Sequence, residues 1–386
     1  MASMIAPAEA YSLLDWFHDK SGPLISSGFD TDKIYKGNID VHFLMTDKET
    51  SIAKARVYLD KEDISSQVDF GPSYYKNTVS IDTRSLNDGE HILTIVARDK
   101  SKRKNFSKTK ISFKTDNTSP ILRFVKNNRL YYGKTAVLSF WSNEANVDIE
   151  GSFQGKAVKC YPLKTNGRYY RLILGADLSK APNESYPLHL SISDKAGNIT
   201  QRRMKVIVYP NRYIVARFRL KPKKARLLSP DIIMADWERV QEILKRERPE
   251  KFWVGKFMEP ARGVVSLPFG ALEYVNGVKR GRHRGLDIAN RKGTPIKASN
   301  SGIVMLAEYL PAHGNTVIID HGRGVFSYYS HLHEFKTEVG QRVWKGQVIG
   351  TMGSTGIATG SHLHFAVSVH DTRVDPRQWL RGVVAN

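Results

Sequence analysis

Hydrophobic and polar positions alternate along most of this chain with the period of two that marks half-buried β-strands. A first series of such runs is Ile39–Leu44, Ala55–Leu59, Thr78–Ile81, His91–Ala97 and Lys110–Phe113, with turn signals such as Leu86-Asn87-Asp88-Gly89 between them. A second series is Ala136–Trp141, Val147–Ile149, Arg168–Leu174, Leu188–Ile192 and Met204–Val208. Several short strands at this spacing predict β-sandwiches. The period then changes. After Ser229-Pro230-Asp231, a helix start with Pro near its first turn, Ile232, Ile233, Trp237, Val240, Ile243 and Leu244 fall at helical spacing, and Pro249 is expected to end the helix. From Phe257 onward short apolar strands return, separated by Gly, Asn and Lys, so the fold class expected is all-β and multidomain.

The two early series share late landmarks. Ile95-Val96-Ala97-Arg98-Asp99-Lys100 parallels Leu190-Ser191-Ile192-Ser193-Asp194-Lys195, each followed by a turn and one last strand. With Asp88-Gly89-Glu90-His91 leading into the first, both units resemble immunoglobulin-like domains of the bacterial surface type. Such folds imply spacing, adhesion or autoinhibition, not chemistry. The expected division is a lead-in segment over 1–33 with a short helical pattern (Tyr11, Leu14, Trp16, Phe17), immunoglobulin-like sandwiches over 34–118 and 119–211, a basic linker with one helix over 212–256, and a C-terminal domain over 257–386.

Composition narrows the function. No run approaches the ~18 apolar residues of a membrane span. The first ten residues lack a secretory leader, but Met1-Ala2-Ser3-Met4 reads as an appended start before a second methionine, so compartment stays open. The single cysteine, Cys160, excludes an intramolecular disulfide and is expected in a core. A formal net charge of +21, dense at Lys100–Lys104 and between Arg212 and Arg226, favours a polyanionic partner: an anionic wall polymer, a membrane surface or nucleic acid. No recognised nucleic-acid motif is present, which makes the last of these the weakest.

Candidate chemistry concentrates at the C-terminal end, where eight of the twelve histidines lie beyond Phe257. In Gly360–Val369 the alternation sends Leu363, Phe365, Val367 and Val369 to one face and His362, His364, Ala366 and Ser368 to the other. Two imidazoles at i, i+2 facing away from a core suggest a metal or catalytic site. A catalytic zinc needs three N, O or S ligands and an open position. His364 can be one; His283 and Asp287, in Gly281-Arg282-His283-Arg284-Gly285-Leu286-Asp287, are the best remaining candidates, a bend at the glycine turning both to one point. His362 and His331 are placed to manage a proton. His331-Leu332-His333 is a second His-x-His that could on spacing alone be the ligand pair, but Glu334 follows and the alternation stops, which favours His331 in the site and His333 at its rim. There is no His-Glu-x-x-His helix and no cysteine-based zinc pattern.

His283-x-x-x-Asp287, Gly293-Thr294-Pro295-Ile296, Gly314-Asn315-x-Val317-x-Ile319-Asp320-His321-Gly322, Tyr329-Ser330-His331-Leu332, Val339-Gly340-Gln341, Gly353-Ser354-Thr355-Gly356 and His362-Leu363-His364-Phe365 occur in that order. From about Leu267 to Leu380 the chain thereby resembles the LytM/lysostaphin-type M23 zinc metallopeptidases. The resemblance implies an antiparallel-β peptidase domain, Zn2+ held by His283, Asp287 and His364, and His331 and His362 as the catalytic pair around the attacking water. It also implies hydrolysis of peptide bonds in the stem or cross-bridge of peptidoglycan. The implied location is the cell envelope, periplasmic or extracellular, with an N-terminal anchor ahead of the present sequence. One departure is the loop Ala358-Thr359-Gly360-Ser361, longer than in many relatives, which bears on the cleft's rim rather than its ligands. Some relatives have lost ligands and only activate other wall hydrolases; that silent regulator is the alternative reading, against which all five site positions are occupied here.

Overall fold

The computed structural model describes residues 13–127, 129–163, 166–245 and 247–382. The chain divides into two compact units, residues 1–120 with 193–199, and residues 121–192 with 200–386. In the first unit, strands Leu24–Ser27, Asn38–Thr46, Lys76–Asp82 and Val68–Phe70 form one sheet, and Ile34–Tyr35, Phe106–Thr115, Gly89–Asp99, Ile52–Leu59 and Glu62–Asp63 form another. The alternation is what makes this a sandwich: Val41, Phe43, Val57, Val79, Leu93, Ile95 and Phe113 are buried between the sheets while their sequence neighbours face outward. Of the expected lead-in helix, Leu13–His18 is present; Tyr11 and the side chain of Leu14 lie outside the described residues. Leu24–Ser27, within the expected lead-in, pairs with Phe43–Thr46 and so completes the first sheet.

The second unit opens with another pair of sheets around Leu138, Phe140, Ile149, Tyr170, Leu172, Leu188 and Leu190. Cys160 is buried in that core, where desolvation pushes its thiol pKa far up, so it is an inert packing residue. The expected basic connector holds more than its one expected helix. It contributes strand β1 (Val215–Phe218), a short helix Pro222–Ala225, and helix α1 (Pro230–Leu244).

Strand β1 pairs in parallel with β2 (Leu272–Val275), which pairs with β3 (Val278–Arg282). The large sheet runs through Val264–Leu267, β4 (Leu286–Ala289), β8 (His362–Val369), β7 (Val325–Phe335), β6 (Gly314–Asp320) and β5 (Gly302–Leu310) to Arg342–Val343. One face packs on Ile296, Val304, Val317, Ile319, Tyr329, Leu363, Phe365 and Trp379. The other face, with Met305, Leu306, Ile318, Phe326, Tyr328 and Ala366, is covered by Val240, Ile243 and Leu244 of α1. Burying each of those three side chains contributes about 1.5–3 kcal/mol. Because both faces are covered, β6 and most of β7 are buried almost continuously instead of in alternation.

Helix α1 differs from the helical-spacing expectation in two ways. It stops at Leu244, before Pro249. Its sheet-facing stripe is Asp236, Val240, Ile243 and Leu244, while Ile233 and Trp237 stay exposed at 43% and 51%. The polar Asp236 is thus in the stripe that hydrophobicity alone assigns elsewhere, because backbone N–H groups of Ala312 and His313 donate to it. A C-terminal helix, α2 (Pro376–Arg381), is anchored to the second sandwich: Gln378 Oε1 accepts from the Thr135 N–H at 2.7 Å, Trp379 Nε1 donates to Thr135 Oγ1, and Lys134 pairs with the buried Asp375.

Charge is partitioned by the same division. Residues 1–120 hold 17 Lys/Arg and 17 Asp/Glu, so the whole excess of +21 resides in residues 121–386.

Candidate metal centre and catalytic cleft

Register places the first pair of candidates side by side. Asp287 of β4 is the direct cross-strand partner of His364 on β8, and Ser330 of β7 lies on the other side of His364. Their regular alternation drives Leu286, Ile288, Leu363 and Phe365 into the core, leaving Asp287, His362 and His364 on the cleft side. His283 arrives from a non-strand segment held by its own backbone: its N–H donates to the Ala271 carbonyl and its carbonyl accepts from Gly270 N–H, both at 2.8 Å. The bend expected at Gly285 is present, and the missing side chain also permits close approach; a Cβ there would lie 2.4 Å from the His364 ring.

Three donor atoms converge. His283 Nε2 and Asp287 Oδ1 are 3.0 Å apart, His364 Nδ1 and Asp287 Oδ1 2.8 Å, and His283 Nε2 and His364 Nδ1 3.0 Å. His283 is oriented by Nδ1, which sits 3.2 Å from the Pro268 carbonyl and so spends its proton there, turning Nε2 inward as a lone-pair donor. Two imidazoles and one carboxylate, His283 buried and the other two largely so, face one point and could together hold a metal ion. Burial disfavours charge on all three. It is opposed at Asp287 by the adjoining His283 and His364 rings, which hold its carboxyl well below the usual range. At His283 the bond to Asp287 overcomes burial and raises the pKa; at His364 burial wins and lowers it to about 4.

His331 and His362 stand over the same point. Their ring centroids are 4.8 Å apart, and that of His331 is 6.0 Å from His364. Each spends Nδ1 on a carbonyl, His331 on Thr355 at 2.8 Å and His362 on Gly360 at 2.9 Å, so each presents Nε2 to the cleft. His362 Nε2 is 3.7 Å from Asp287 Oδ2. Burial, then the neighbouring His362 and His364, press the His331 pKa well below its ordinary value, keeping it neutral.

His331 reaches the cleft only through an irregularity. Simple alternation would place it on the face of Tyr329, which is in the core. Between the pairs Val317↔Tyr329 and Asn315↔Leu332, however, two residues of β7 oppose Thr316 alone, and His331 takes φ +64°. This β-bulge with a left-handed residue re-aims the imidazole. His333, past the bulge, is exposed, 3.8 Å from Glu334, and outside the constellation.

The cleft, about 570 Å³, is also lined by residues that no sequence pattern singled out, among them Arg217, Leu228, Glu273, Arg284 and His313. Glu273 is opposite Gly281 across β2 and β3, and burial raises its carboxyl pKa, partly offset by His283. Only the strand pairing brings it near; no local motif marks it.

The fold and site together define a mostly antiparallel β-protein with two imidazoles and a carboxylate that could hold a metal ion. Residues 281–376 match the model of peptidase family M23, and the C-terminal part of the chain is an M23 peptidase domain. A DD-carboxypeptidase/endopeptidase Mpg of Neisseria meningitidis is 40% identical over 112 residues, 29% of this chain and 26% of that protein. The peptidoglycan DD-endopeptidase ShyC of Vibrio cholerae is 41% identical over 95 residues, 25% of this chain and 22% of that protein. The chain thus spans about a quarter of the length of these relatives. A crystal structure of an M23 peptidase from Pseudomonas aeruginosa is similar at 29% identity and a TM-score of 0.50, covering 66% of this chain and 96% of that one.

Proposed function

We propose that the chain is a zinc-dependent endopeptidase of the cell envelope that hydrolyses peptide bonds in the stem or cross-bridge of peptidoglycan. The observation that carries this reading is the convergence of His283, Asp287 and His364 on one point faced by the Nε2 atoms of His331 and His362. The similarity to wall endopeptidases supports the substrate class. His283, Asp287 and His364 would hold Zn2+, whose bound chemistry is to polarise the scissile carbonyl and acidify a water.

The remaining work falls to the chain's own groups. His331, neutral and with Nδ1 committed to Thr355, accepts a proton at Nε2 from the attacking water and returns it to the departing amine. His362, oriented by Gly360, presents Nε2 to the oxygen on which charge develops. The cleft residues Arg217 and Arg284, within a unit carrying all of the +21, suit anionic wall peptides and polymers. In this reading the two sandwiches are immunoglobulin-like spacers.

Mass spectrometry of muropeptides after incubation with the full chain tests activity and bond together. New peptide termini that vanish with a chelator and return with Zn2+ are expected. Intact zinc-loaded protein that releases nothing, while a His331→Ala, His362→Ala double variant keeps its biological effect, would overturn it in favour of a silent regulator.

A further inference from the structure

The bulge that aims His331 is not held by the large sheet alone. Its left-handed backbone is an unfavourable choice for a non-glycine residue, so surrounding contacts must enforce it. Two loops do so. The carbonyl of His313 accepts from the His331 N–H at 2.9 Å, and the carbonyl of Thr355 accepts from its Nδ1 at 2.8 Å. The loops lock to each other: Ile357 N–H donates to Ala312, Asn315 N–H to Thr355 Oγ1, and Thr355 Oγ1 to the Leu332 carbonyl. They are in backbone contact at Gly314 and Gly356, where a Cβ on Gly356 would lie 2.3 Å from Gly314 N.

Both loops are gripped from outside by the segment that precedes the family-matched region. Asp236 of α1, 1% exposed, accepts through Oδ2 from Ala312 N–H at 2.9 Å, from His313 N–H at 3.1 Å and from His313 Nδ1 at 2.7 Å. Lys224, on the short helix Pro222–Ala225, donates to the Ser354 carbonyl at 2.9 Å and to that of Gly356. Asp236 Oδ1 is buried without a hydrogen-bond partner among the described residues. A half-satisfied buried carboxylate is a poor device for stability alone.

We infer that Lys224 and Asp236 are positioning residues that clamp the 312–315 and 353–357 loops and so fix His331 over the reacting atoms. The connector is then a working part of the catalytic apparatus, not a tether. The catalytic half of this inference rests on the proposed endopeptidase reading; the conformational half does not.

The test uses the full chain with Lys224→Met, Lys224→Arg and Asp236→Asn, read by hydrogen-exchange mass spectrometry and by steady-state kinetics on a wall peptide. In Lys224→Met, amides of 312–315, 329–332 and 353–357 are expected to exchange faster while the rest of the domain is unchanged. Its kcat should fall on the order of tenfold or more with KM nearly constant, as for a catalytic group displaced by about an ångström. Lys224→Arg should restore part of both effects, and Asp236→Asn, which keeps an acceptor for the backbone donors, should fall between. Unchanged exchange in Lys224→Met, or faster exchange over the whole domain, overturns the clamp; so does a rate loss carried by KM. If the wild-type chain cleaves no wall peptide, the function proposal fails while the exchange result still decides the clamp. Should Asp236→Asn not fold, the two variants at the more exposed Lys224 decide the matter by themselves.

Discussion

His331 and His333 stand two residues apart on β7, and His362 and His364 stand two apart on the adjacent β8. On β8 the strand is regular, and both imidazoles face the cleft. On β7 the bulge opposite Thr316 turns His331 into the cleft, and His333 ends at the surface beside Glu334. The same three-letter pattern therefore puts two imidazoles in the cleft from one strand and one from the other. What separates them is backbone conformation, which side-chain spacing does not encode.

The largest expected effect breaks the regular pair. His364→Ala should lose zinc in a metal assay and reduce turnover to background, a fall of at least about a thousandfold. His331→Ala should retain zinc yet slow turnover by about 10²–10⁴-fold, separating proton transfer from metal binding. His333→Ala should leave both within about twofold, and a large loss there would sink the contrast.

A fifth, fully buried histidine gives the comparison a stability axis. His321 Nδ1 donates to the Ser301 carbonyl at 2.8 Å, its Nε2 lies 2.7 Å from Ser327 Oγ, and burial lowers its pKa to about 4. Its folded pKa lies below its unfolded one, so its contribution is present above about 6.5 and is lost as pH falls toward 4. Asp320 beside it is raised by burial to about 6, and its contribution runs oppositely, lost as pH rises from about 4 through 6. Together they nearly cancel. Asp320→Asn should expose the histidine's acid sensitivity, a loss of about 3 kcal/mol between pH 7 and 4 in chemical denaturation. No steepening relative to wild type would contradict the assignment.

The smallest effect concerns the bulge itself. His331→Val, β-branched and poorly suited to positive φ, should destabilise the domain by about 1–2 kcal/mol more than His331→Asn, which tolerates that region. Equal urea midpoints would show the left-handed conformation is not enforced.

Where the backbone is regular, the sequence is legible. The alternation of Gly360–Val369 predicts a two-faced strand, and Leu363 and Phe365 are in the core as that requires. The main strands of both sandwiches and the start of α1 are visible for the same reason. Glu273, His313, Lys224 and Asp236 are not, because each meets the site through contacts that span many tens of residues or a strand pairing. The clustering of histidines suggests one site, yet His321 is a core residue and His370 pairs with Glu247 at 3.0 Å. Counting residue types finds the neighbourhood, while register and bulges assign the work.

Strand β1 has a practical consequence for anyone cutting the molecule down. It is the outer neighbour of β2 in the order β1-β2-β3, so a recombinant fragment beginning at residue 257 would turn Leu272–Val275 into an open edge. Unpaired N–H and C=O groups on such an edge recruit a strand from another chain. Fragments that begin at residue 257 should therefore self-associate during purification, while those that begin ahead of Val215 should stay monodisperse.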